Sequence, residues 1–196
     1  IFEERTPAFT VNIGISADEK YYFINSSDHN TSEKYYFKSN ESLPKPKIVR
    51  KREKGIIYSV SSWGGYFYIH TNKGAEDFKI ERSTDIEASK WEVFIPAKNE
   101  TMIGGLTFLK NWIIRSELNN ALDKIFVRDI NSNKEEELIF TDEEVYDGSI
   151  SHTQKDRNTD LIYISYSTPK TQARTYLYNL KTKEKKLVKE QVIPTG

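Results

Sequence analysis

Serine is the first residue type to examine for chemistry, because α/β-type serine hydrolases place their nucleophile in a Gly-x-Ser-x-Gly turn. The two glycines allow the serine to stand on a strained turn between a strand and a helix. No serine in this chain has that frame. Ser16 follows Gly14 but lacks the second glycine, and Ser149 comes directly after Gly148. We assign no catalytic residue, and the chain alone is predicted to be catalytically inert.

Histidines are the next candidates for a catalytic triad or a metal site. His29, His70 and His152 are far apart in the sequence and fall in one predicted turn and two predicted strands. Convergence through folding is the alternative, but scattered polar side chains are the interpretation we adopt. The chain has no cysteine, which excludes disulfides, thiolate metal ligands and a cysteine nucleophile, and which fits a reducing compartment.

Residues 129–133, Asp-Ile-Asn-Ser-Asn, open like a calcium-binding loop. Lys134 stands where such a loop requires glycine, and Phe140 stands where it requires a bidentate glutamate. We therefore predict a hairpin turn at this point. No metal and no cofactor is predicted anywhere in the chain.

Carboxylate pairs would be the sign of a glycosidase acting at the mouth of a channel. The acidic residues that we would test for this role are Glu117, Glu143, Glu144 and Asp147. Solvated turns explain these four side chains adequately. The glycosidase hypothesis is therefore the weaker of the alternatives.

A basic tract covers residues 45–54 and invites comparison with nucleic-acid patches. Pro44 and Pro46 keep it away from the centre of a sheet, so we interpret it as a solvated connection. Triplets of the glycosylation type begin at Asn25, Asn30, Asn40 and Asn99, and we regard them as coincidental. The 12 tyrosines and 10 phenylalanines could stack on bases or sugars, but their regular recurrence indicates packing between sheets.

Composition excludes several classes of function. The 196 residues carry 29 basic and 29 acidic side chains, so no global field favours nucleic acid or an anionic membrane. No apolar run approaches the roughly 18 residues that span a bilayer, and the first residues do not form a signal peptide. We predict a soluble chain without nucleic-acid or membrane partners. It begins within what looks like the end of a strand, so we expect it to be part of a longer protein.

The strands that would position any site are clearest in residues 64–96. Two aromatic and β-branched runs, 66–71 and 78–82, flank a turn around Asn-Lys-Gly, and a third run follows at 91–96. A similar unit occurs about four times. The predicted units cover residues 6–50, 55–98, 100–141 and 145–190. Equivalent second-strand positions are Tyr22, Phe67, Trp112 and Ile162, and equivalent third-strand positions are Tyr36, Phe78, Phe126 and Tyr176.

The period of this repeat, about 42 to 50 residues, is that of four-stranded propeller blades. A β-sandwich would also give short strands with frequent turns. The recurrence of the same strand quartet, and the small residues Gly14, Ser59, Gly104, Gly105 and Gly148 in first strands, favour blades. The predicted fold class is thus all-β, with about four propeller blades.

Six stretches, taken in order, resemble the propeller domain of the prolyl oligopeptidase family of serine peptidases, in its oligopeptidase B branch. They are residues 2–4 (Phe-Glu-Glu), 31–33 (Thr-Ser-Glu), 46–49 (Pro-Lys-Ile-Val) with 58–59 (Tyr-Ser), 91–96 (Trp-Glu-Val-Phe-Ile-Pro), 108–112 and 165–169 (Ser-Tyr-Ser-Thr-Pro). The resemblance covers nearly the whole chain. It implies an arc of about four blades from the second half of a seven-bladed propeller, with residues 191–196 starting the hinge to an absent α/β-hydrolase domain.

The resemblance also implies a function. The chain would be the non-catalytic part of a cytoplasmic serine oligopeptidase that cuts after basic residues, and it would limit access to short peptides. Its partners would be the C-terminal α/β-hydrolase domain of the same polypeptide and short peptide substrates. The alternative is a stand-alone propeller that binds a protein partner.

Truncation of a propeller has a physical consequence. A terminal blade lacks a neighbour on one face, and each large apolar side chain left in water forfeits roughly 1.5 to 3 kcal/mol. Several such losses are comparable with the total stability of a domain, about 5 to 15 kcal/mol. We therefore expect marginal stability or self-association through blade faces and edge strands, and closure into a four-bladed ring is the alternative.

Overall fold

A computed structural model of the chain describes residues 2–143, 146–152 and 157–191. Within those ranges the regular elements are β-strands, so the all-β prediction is confirmed. The described residues contain no helix that could span a membrane. The chain divides into two compact units, residues 1–99 and residues 100–196.

Unit 1 contains two four-stranded antiparallel sheets. The first sheet is formed by β1 (Thr10–Ile15), β2 (Tyr21–Ser27), β3 (Ser32–Lys38) and β4 (Lys47–Arg50). The second is formed by β5 (Tyr58–Trp63), β6 (Tyr66–Thr71), β7 (Lys79–Ser83) and β8 (Glu92–Ile95). Strands that follow each other in sequence also neighbour each other in the sheet, so each sheet is a simple meander.

Unit 2 repeats this arrangement. The third sheet is formed by β9 (Thr101–Leu109), β10 (Trp112–Asn119), β11 (Leu122–Asp129) and β12 (Glu135–Glu137). The fourth is formed by β13 (Asp147–His152), β14 (Leu161–Ser167), β15 (Arg174–Asn179) and β16 (Lys185–Glu190). The turn between β10 and β11 places Asn120 and Ala121 at φ of 50° and 60°, the geometry of a tight hairpin.

An aromatic core holds the two sheets of unit 1 together. The first sheet contributes Phe23 and Tyr36, and the second contributes Tyr58 and Phe67, all at most 9% exposed. Tyr21 meets Phe67 edge to face with 5.0 Å between ring centroids. Such aromatic pairs add about 0.5–1.5 kcal/mol beyond the area that they bury. The aromatic repeat in the sequence is therefore used for packing between sheets in this unit.

An aliphatic core holds the two sheets of unit 2 together. In β14, Ile162, Ile164 and Tyr166 are buried while the residues between them are partly exposed, the period-two pattern of a strand that packs on one face. They meet Leu109, Ile114, Ile125, Val127, Leu138, Phe140 and Leu180 in one cluster. The core between these two sheets is therefore mostly aliphatic, with Phe140 and Tyr166 as its buried aromatic members.

One strand position differs from the prediction. Phe78 was expected in a third strand, but it precedes β7 with a φ of 67°, and Ile80 is the buried residue of that strand. The third sheet ends with β12 at Glu137, and Leu138 and Phe140 after it enter the core of unit 2.

The predicted unit boundaries at 6–50, 55–98, 100–141 and 145–190 stay predictions. The predicted hinge falls mostly outside the described residues, since only Gln191 of residues 191–196 is described.

A β-bulge interrupts the third sheet. Arg115 pairs with Leu106 and Glu117 pairs with Ile103, so Gly104 and Gly105 together oppose Ser116. A Cβ atom on Gly104 would lie 2.1 Å from Ser116 Oγ and 2.9 Å from the Ser116 carbonyl oxygen, whereas a Cβ atom on Gly105 would meet nothing within 4 Å. The two adjacent glycines therefore have different roles. A side chain at position 104 would clash with Ser116, so glycine is required there, whereas position 105 has room for a side chain.

The replacement Gly104→Ala should lower the free energy of unfolding by about 1–3 kcal/mol, because the new methyl group overpacks the bulge. Urea unfolding followed by tryptophan fluorescence would measure it. Gly105→Ala is the matched control and should leave stability within about 0.5 kcal/mol of the parent. Equal effects of the two replacements would contradict the assignment of the steric constraint to Gly104.

Candidate functional site

The serines that we compared with a nucleophile are placed without a catalytic partner in the described residues. Ser16 is buried at the turn after β1, where its hydroxyl donates to Asp18 Oδ1 at 2.6 Å and accepts from the Tyr21 amide at 3.0 Å. Ser149 lies on β13 and is exposed. These contacts give Ser16 a role in closing the turn, and they bring no imidazole to it.

His29 and His70 belong to no group of possible metal ligands among the described residues. His29 is exposed in the β2–β3 turn, and His70 stacks on Phe78 with 4.6 Å between ring centroids. His152 ends β13. Among the described residues, no three His, Asp or Glu side chains are grouped so that they could hold a metal ion.

The segment that resembled a calcium loop forms the predicted hairpin turn. Asp129 Oδ1 accepts hydrogen bonds from the backbone amides of Asn131 at 2.7 Å and Ser132 at 3.2 Å. Burial alone would raise the pKa of Asp129, but these amide contacts outweigh it and lower the pKa. The carboxylate thus stabilises the β11–β12 turn.

The acidic residues considered for glycosidase chemistry have different environments. Glu143 accepts from Thr168 Oγ1 at 3.0 Å, and Asp147 is exposed at the start of β13. Glu144 lies outside the described residues. The interpretation of Glu117 as a solvated turn residue is wrong, because its side chain lies on β10 and is only 3% exposed. Sequence alone could not reveal that burial.

Glu117 belongs to an ionic network on the third sheet. Arg115 Nε donates to Glu117 at 2.8 Å, and Arg115 Nη1 donates to Glu135 at 2.8 Å. Arg128 also donates to Glu135 at 2.9 Å, and the Arg115 guanidinium lies 4.6 Å from the centre of the Phe126 ring. Burial would raise the pKa of Glu135, but Arg115 and Arg128 outweigh it and lower the pKa. The network neutralises the buried charge, and Arg115 holds the Glu117 carboxylate in place.

A second ionic network fastens the start of unit 1. Glu4 Oε2 accepts from Ser26 Oγ and from Arg52 Nη2, both at 2.5 Å. Arg52 Nη2 also donates to Glu33 Oε1 at 3.0 Å, and its guanidinium lies 4.2 Å from the centre of the Phe9 ring. Arg52 therefore joins residues before β1 to β3 and to the connection that enters the second sheet.

The pKa values in this network shift as expected for paired charges. The hydrogen bonds from Arg52 and Ser26 lower the pKa of Glu4 well below its ordinary value. Burial would raise the pKa of Glu33, but hydrogen bonds from Tyr35 and Arg52 outweigh it and lower the pKa. Burial and the Glu33 carboxylate raise the pKa of Tyr35 to about 12. All three groups therefore keep their usual charge states at neutral pH.

The hydroxyl of Tyr58 joins the two sheets of unit 1 at an irregular point. The register of β3 and β4 shifts between Lys34 and Tyr35. The Tyr58 hydroxyl accepts from the Lys34 amide at 2.9 Å and donates to the Arg50 carbonyl at 2.6 Å. Ser32 Oγ accepts from the Tyr58 amide at 2.7 Å and donates to its carbonyl at 3.1 Å. The Tyr58 hydroxyl thus satisfies backbone groups of Lys34 and Arg50 beside the register shift, and Ser32 satisfies the backbone of Tyr58 on β5.

Three of the six basic residues in the tract, Lys47, Arg50 and Arg52, pair with glutamates. Arg50 pairs with Glu81 at 3.0 Å, and Lys47 pairs with Glu87 at 2.7 Å. Arg52 is held by the network described above. This pairing supports our interpretation of residues 45–54 as a connection, since an anionic ligand would have to displace the glutamates. Two of the glycosylation-type asparagines are also engaged: Asn25 accepts from the Lys34 ammonium, and Asn30 accepts from Thr31 Oγ1 at 2.8 Å.

Hydrogen bonds also join the two sheets of unit 2. Trp112 Nε1 donates to Asp160 Oδ1 at 2.7 Å, and Asn111 Nδ2 reaches the same oxygen at 3.3 Å. Arg157 Nη1 donates to the Phe108 carbonyl at 3.0 Å. Sequence reasoning missed these cross-sheet groups and the Tyr58 contact, because their partners are distant along the chain.

Comparison with known proteins gives a consistent result. The family model described as "Prolyl oligopeptidase, N-terminal beta-propeller domain" matches residues 1–191. Protease 2 of Moraxella lacunata is 31% identical over 198 residues, which covers 100% of this chain and 28% of that protein. Dipeptidyl aminopeptidase BI of Pseudoxanthomonas mexicana is 27% identical over 197 residues, which covers 99% of this chain and 27% of that protein.

Solved structures agree on the fold. Oligopeptidase B from Trypanosoma brucei, in a closed form with covalently bound antipain, superposes with a TM-score of 0.87 at 24% identity, covering 97% of this chain and 28% of that one. Oligopeptidase B from Leishmania major gives 0.86 at 19% identity, covering 100% of this chain and 29% of that one. With the family model, these superpositions confirm the predicted β-propeller fold class. The chain spans less than a third of the length of each of these two relatives.

The network around Arg52 generates a prediction about pH. Folding lowers the pKa values of Glu4 and Glu33, so their stabilisation is fully present above the ordinary glutamate value of 4.5. It is lost as the pH falls through the lowered values. Glu4→Gln should therefore reduce the free energy of unfolding by about 1–2 kcal/mol at pH 7, with a smaller difference from the parent near pH 3.

Chemical unfolding at a series of pH values would test this expectation. Glu3→Gln is the matched control, because Glu3 is 75% exposed and its ion pair with Arg5 spans 3.5 Å in solvent. A Glu4→Gln effect that is independent of pH, or that equals the effect of Glu3→Gln, would contradict the role given to the network.

Proposed function

This chain belongs to the prolyl oligopeptidase family, as four blades of its N-terminal β-propeller domain, and from that premise we propose that it is the non-catalytic lid of a serine oligopeptidase. In this proposal the blades restrict entry to short peptides. A C-terminal α/β-hydrolase domain of the same polypeptide supplies the nucleophile and breaks the peptide bond.

The observation that carries this proposal is the family match over residues 1–191. The names of the relatives, Protease 2 and dipeptidyl aminopeptidase BI, are those of peptidases, and a Trypanosoma brucei oligopeptidase B structure holds covalently bound antipain. The sequence supports it further, because no serine of this chain stands in a Gly-x-Ser-x-Gly frame.

Two finer points belong to the same proposal. We propose cleavage after Arg or Lys, as the oligopeptidase B branch implies, with the groups that read this side chain in the hydrolase domain. We also propose a cytoplasmic location, which the absence of cysteine supports.

Association between copies of the 196-residue chain is a related proposal. Three side chains on one face of β1 are substantially exposed, with Val11 at 47%, Ile13 at 58% and Ile15 at 49%. These residues alternate with Asn12 and Gly14, so they form a continuous apolar row. Such a row favours contact with another sheet.

The full-length polypeptide that contains this chain would test the function. It should cleave short peptides after Arg or Lys, a serine-directed covalent inhibitor should abolish that activity, and the 196-residue chain should show none. The same cleavage sequence within a long unfolded polypeptide should be cut much more slowly. Equal cleavage rates on the short and long substrates would contradict the proposed lid role. Activity that is insensitive to the inhibitor would contradict the proposed serine mechanism.

Tyr58→Phe in the full-length polypeptide probes the lid itself. This variant loses only the hydroxyl that joins the two sheets of unit 1, so it should raise cleavage of the long substrate relative to the short one. Tyr66→Phe is the control, because the Tyr66 ring packs against Arg82 and no hydrogen bond of its hydroxyl joins two sheets among the described contacts.

A further inference from the structure

A pocket of about 360 Å³ lies between the two sheets of unit 2. Its walls come from β9, β10 and β11 on one side and from β13 on the other. The first strands of propeller blades surround a central channel, so β9 and β13 place this pocket at the channel wall. Its volume falls in the range of about 300–1,000 Å³ that is usual for small-molecule sites.

The pocket coincides with the bulge of the third sheet. The other three register shifts in the described ladders lie between the third and fourth strands, in the first, second and fourth sheets. Only the bulge at Gly104 and Gly105 lies between the first and second strands of a described sheet. Gly105 lines the pocket and faces open space, so no side chain fills the wall at that position. Bulges of this kind are over-represented next to functional sites.

The lining combines an apolar floor with a polar rim. Ile114 and Ile125 are buried, and Ile150 packs against the same core. Thr107 and Ser116 add hydroxyl groups. The accessible lining is thus more polar than apolar, and Ile150 supplies the partly exposed apolar side chain.

Asp123 supplies the charge. It is exposed on the same face of β11 as Ile125, and it makes no hydrogen bond or ion pair with any described residue. Its neighbour Lys124 is directed to Glu137 instead. Burial raises the pKa of Tyr146, and the charges of Glu137 and Asp123 raise it further, which agrees with a negative potential beside the pocket.

We propose that this pocket binds a cationic group carried on an aliphatic stem, namely the Lys or Arg side chain of a peptide. The stem lies on the isoleucine floor, and the ammonium or guanidinium group contacts the Asp123 carboxylate. A second role for the pocket, as a site that holds peptides at the channel wall before cleavage, rests on the proposed function. The binding of the Lys or Arg side chain to the pocket does not rest on that function.

Nuclear magnetic resonance titration of the 196-residue chain would test the site. The probes are a capped Ala-Lys-Ala peptide, the same peptide with norleucine in place of lysine, and 1,5-diaminopentane. The lysine peptide should shift the amide signals of Gly105 and Gly148, and it should bind at least about threefold more tightly than the norleucine peptide. Tighter binding of the lysine peptide than of the diamine assigns the site to peptides, and the reverse order assigns it to free amines.

Variants of the chain distinguish the effect of the Asp123 charge from the effect of the open space in the pocket. Asp123→Asn should weaken the lysine peptide about threefold to fivefold, to the level of the norleucine peptide, and leave the norleucine peptide unchanged. Gly105→Leu should block both peptides by filling the pocket. Glu76→Gln, which removes an exposed carboxylate of unit 1 outside the pocket lining, should change neither.

Equal binding of the lysine and norleucine peptides would overturn the proposal, as would an Asp123→Asn variant that binds like the parent. Signal shifts confined to residues away from Gly105 and Gly148 would also overturn it. None of these readouts depends on peptide hydrolysis. An inactive full-length polypeptide would therefore refute the proposed function without affecting the pocket, and absence of binding here would leave the peptidase proposal intact.

Discussion

Satisfaction of backbone polar groups at irregular points of the sheets is the constraint on which this structure depends. A register shift frees amides and carbonyls that must find new partners when they are buried, or the protein loses stability. In unit 1, the Tyr58 hydroxyl from the second sheet reaches these groups on Lys34 and Arg50 of the first sheet. The irregularity thus becomes a connection between sheets, and the geometry of one sheet determines the position of the next.

The two units solve the packing of sheet against sheet differently. Unit 1 combines aromatic rings with hydrogen bonds such as those of Ser32 and Tyr58, which have strict geometric requirements. Unit 2 packs mainly Ile, Leu and Val side chains together with Phe140 and Tyr166, and its sheets are also joined by the hydrogen bond from Trp112 to Asp160. Aliphatic contacts are less directional than hydrogen bonds. The larger share of aliphatic contacts makes the packing of the sheets in unit 2 less dependent on strict geometry.

Local residue patterns were enough to predict the strands, because alternation and β-branched or aromatic runs act over a few residues. Asp129 and the asparagines after it similarly predicted a turn from local hydrogen bonding. The ion pair of Glu117 was not predictable, because the exposure of a charged residue on a strand depends on what covers its sheet. The contact between Tyr58 and Lys34 spans 24 residues, and only the stacking of sheets brings it about. The difference between Gly104 and Gly105 has the same origin.

Some chemical features depend on residues that are adjacent in the sequence, and others depend on how the sheets pack against each other. A catalytic serine needs a local sequence frame, and the frame is missing here, so chemistry of that kind is recognisable from sequence. A pocket between sheets has no such frame. Ile114, Asp123 and Gly148 lie on three different strands, and their meeting depends on how the third and fourth sheets stack. A family whose blades repeat the same strand pattern can therefore vary the spaces between blades without changing the pattern. Recognition functions of propeller blades should accordingly be sought in the contacts between sheets.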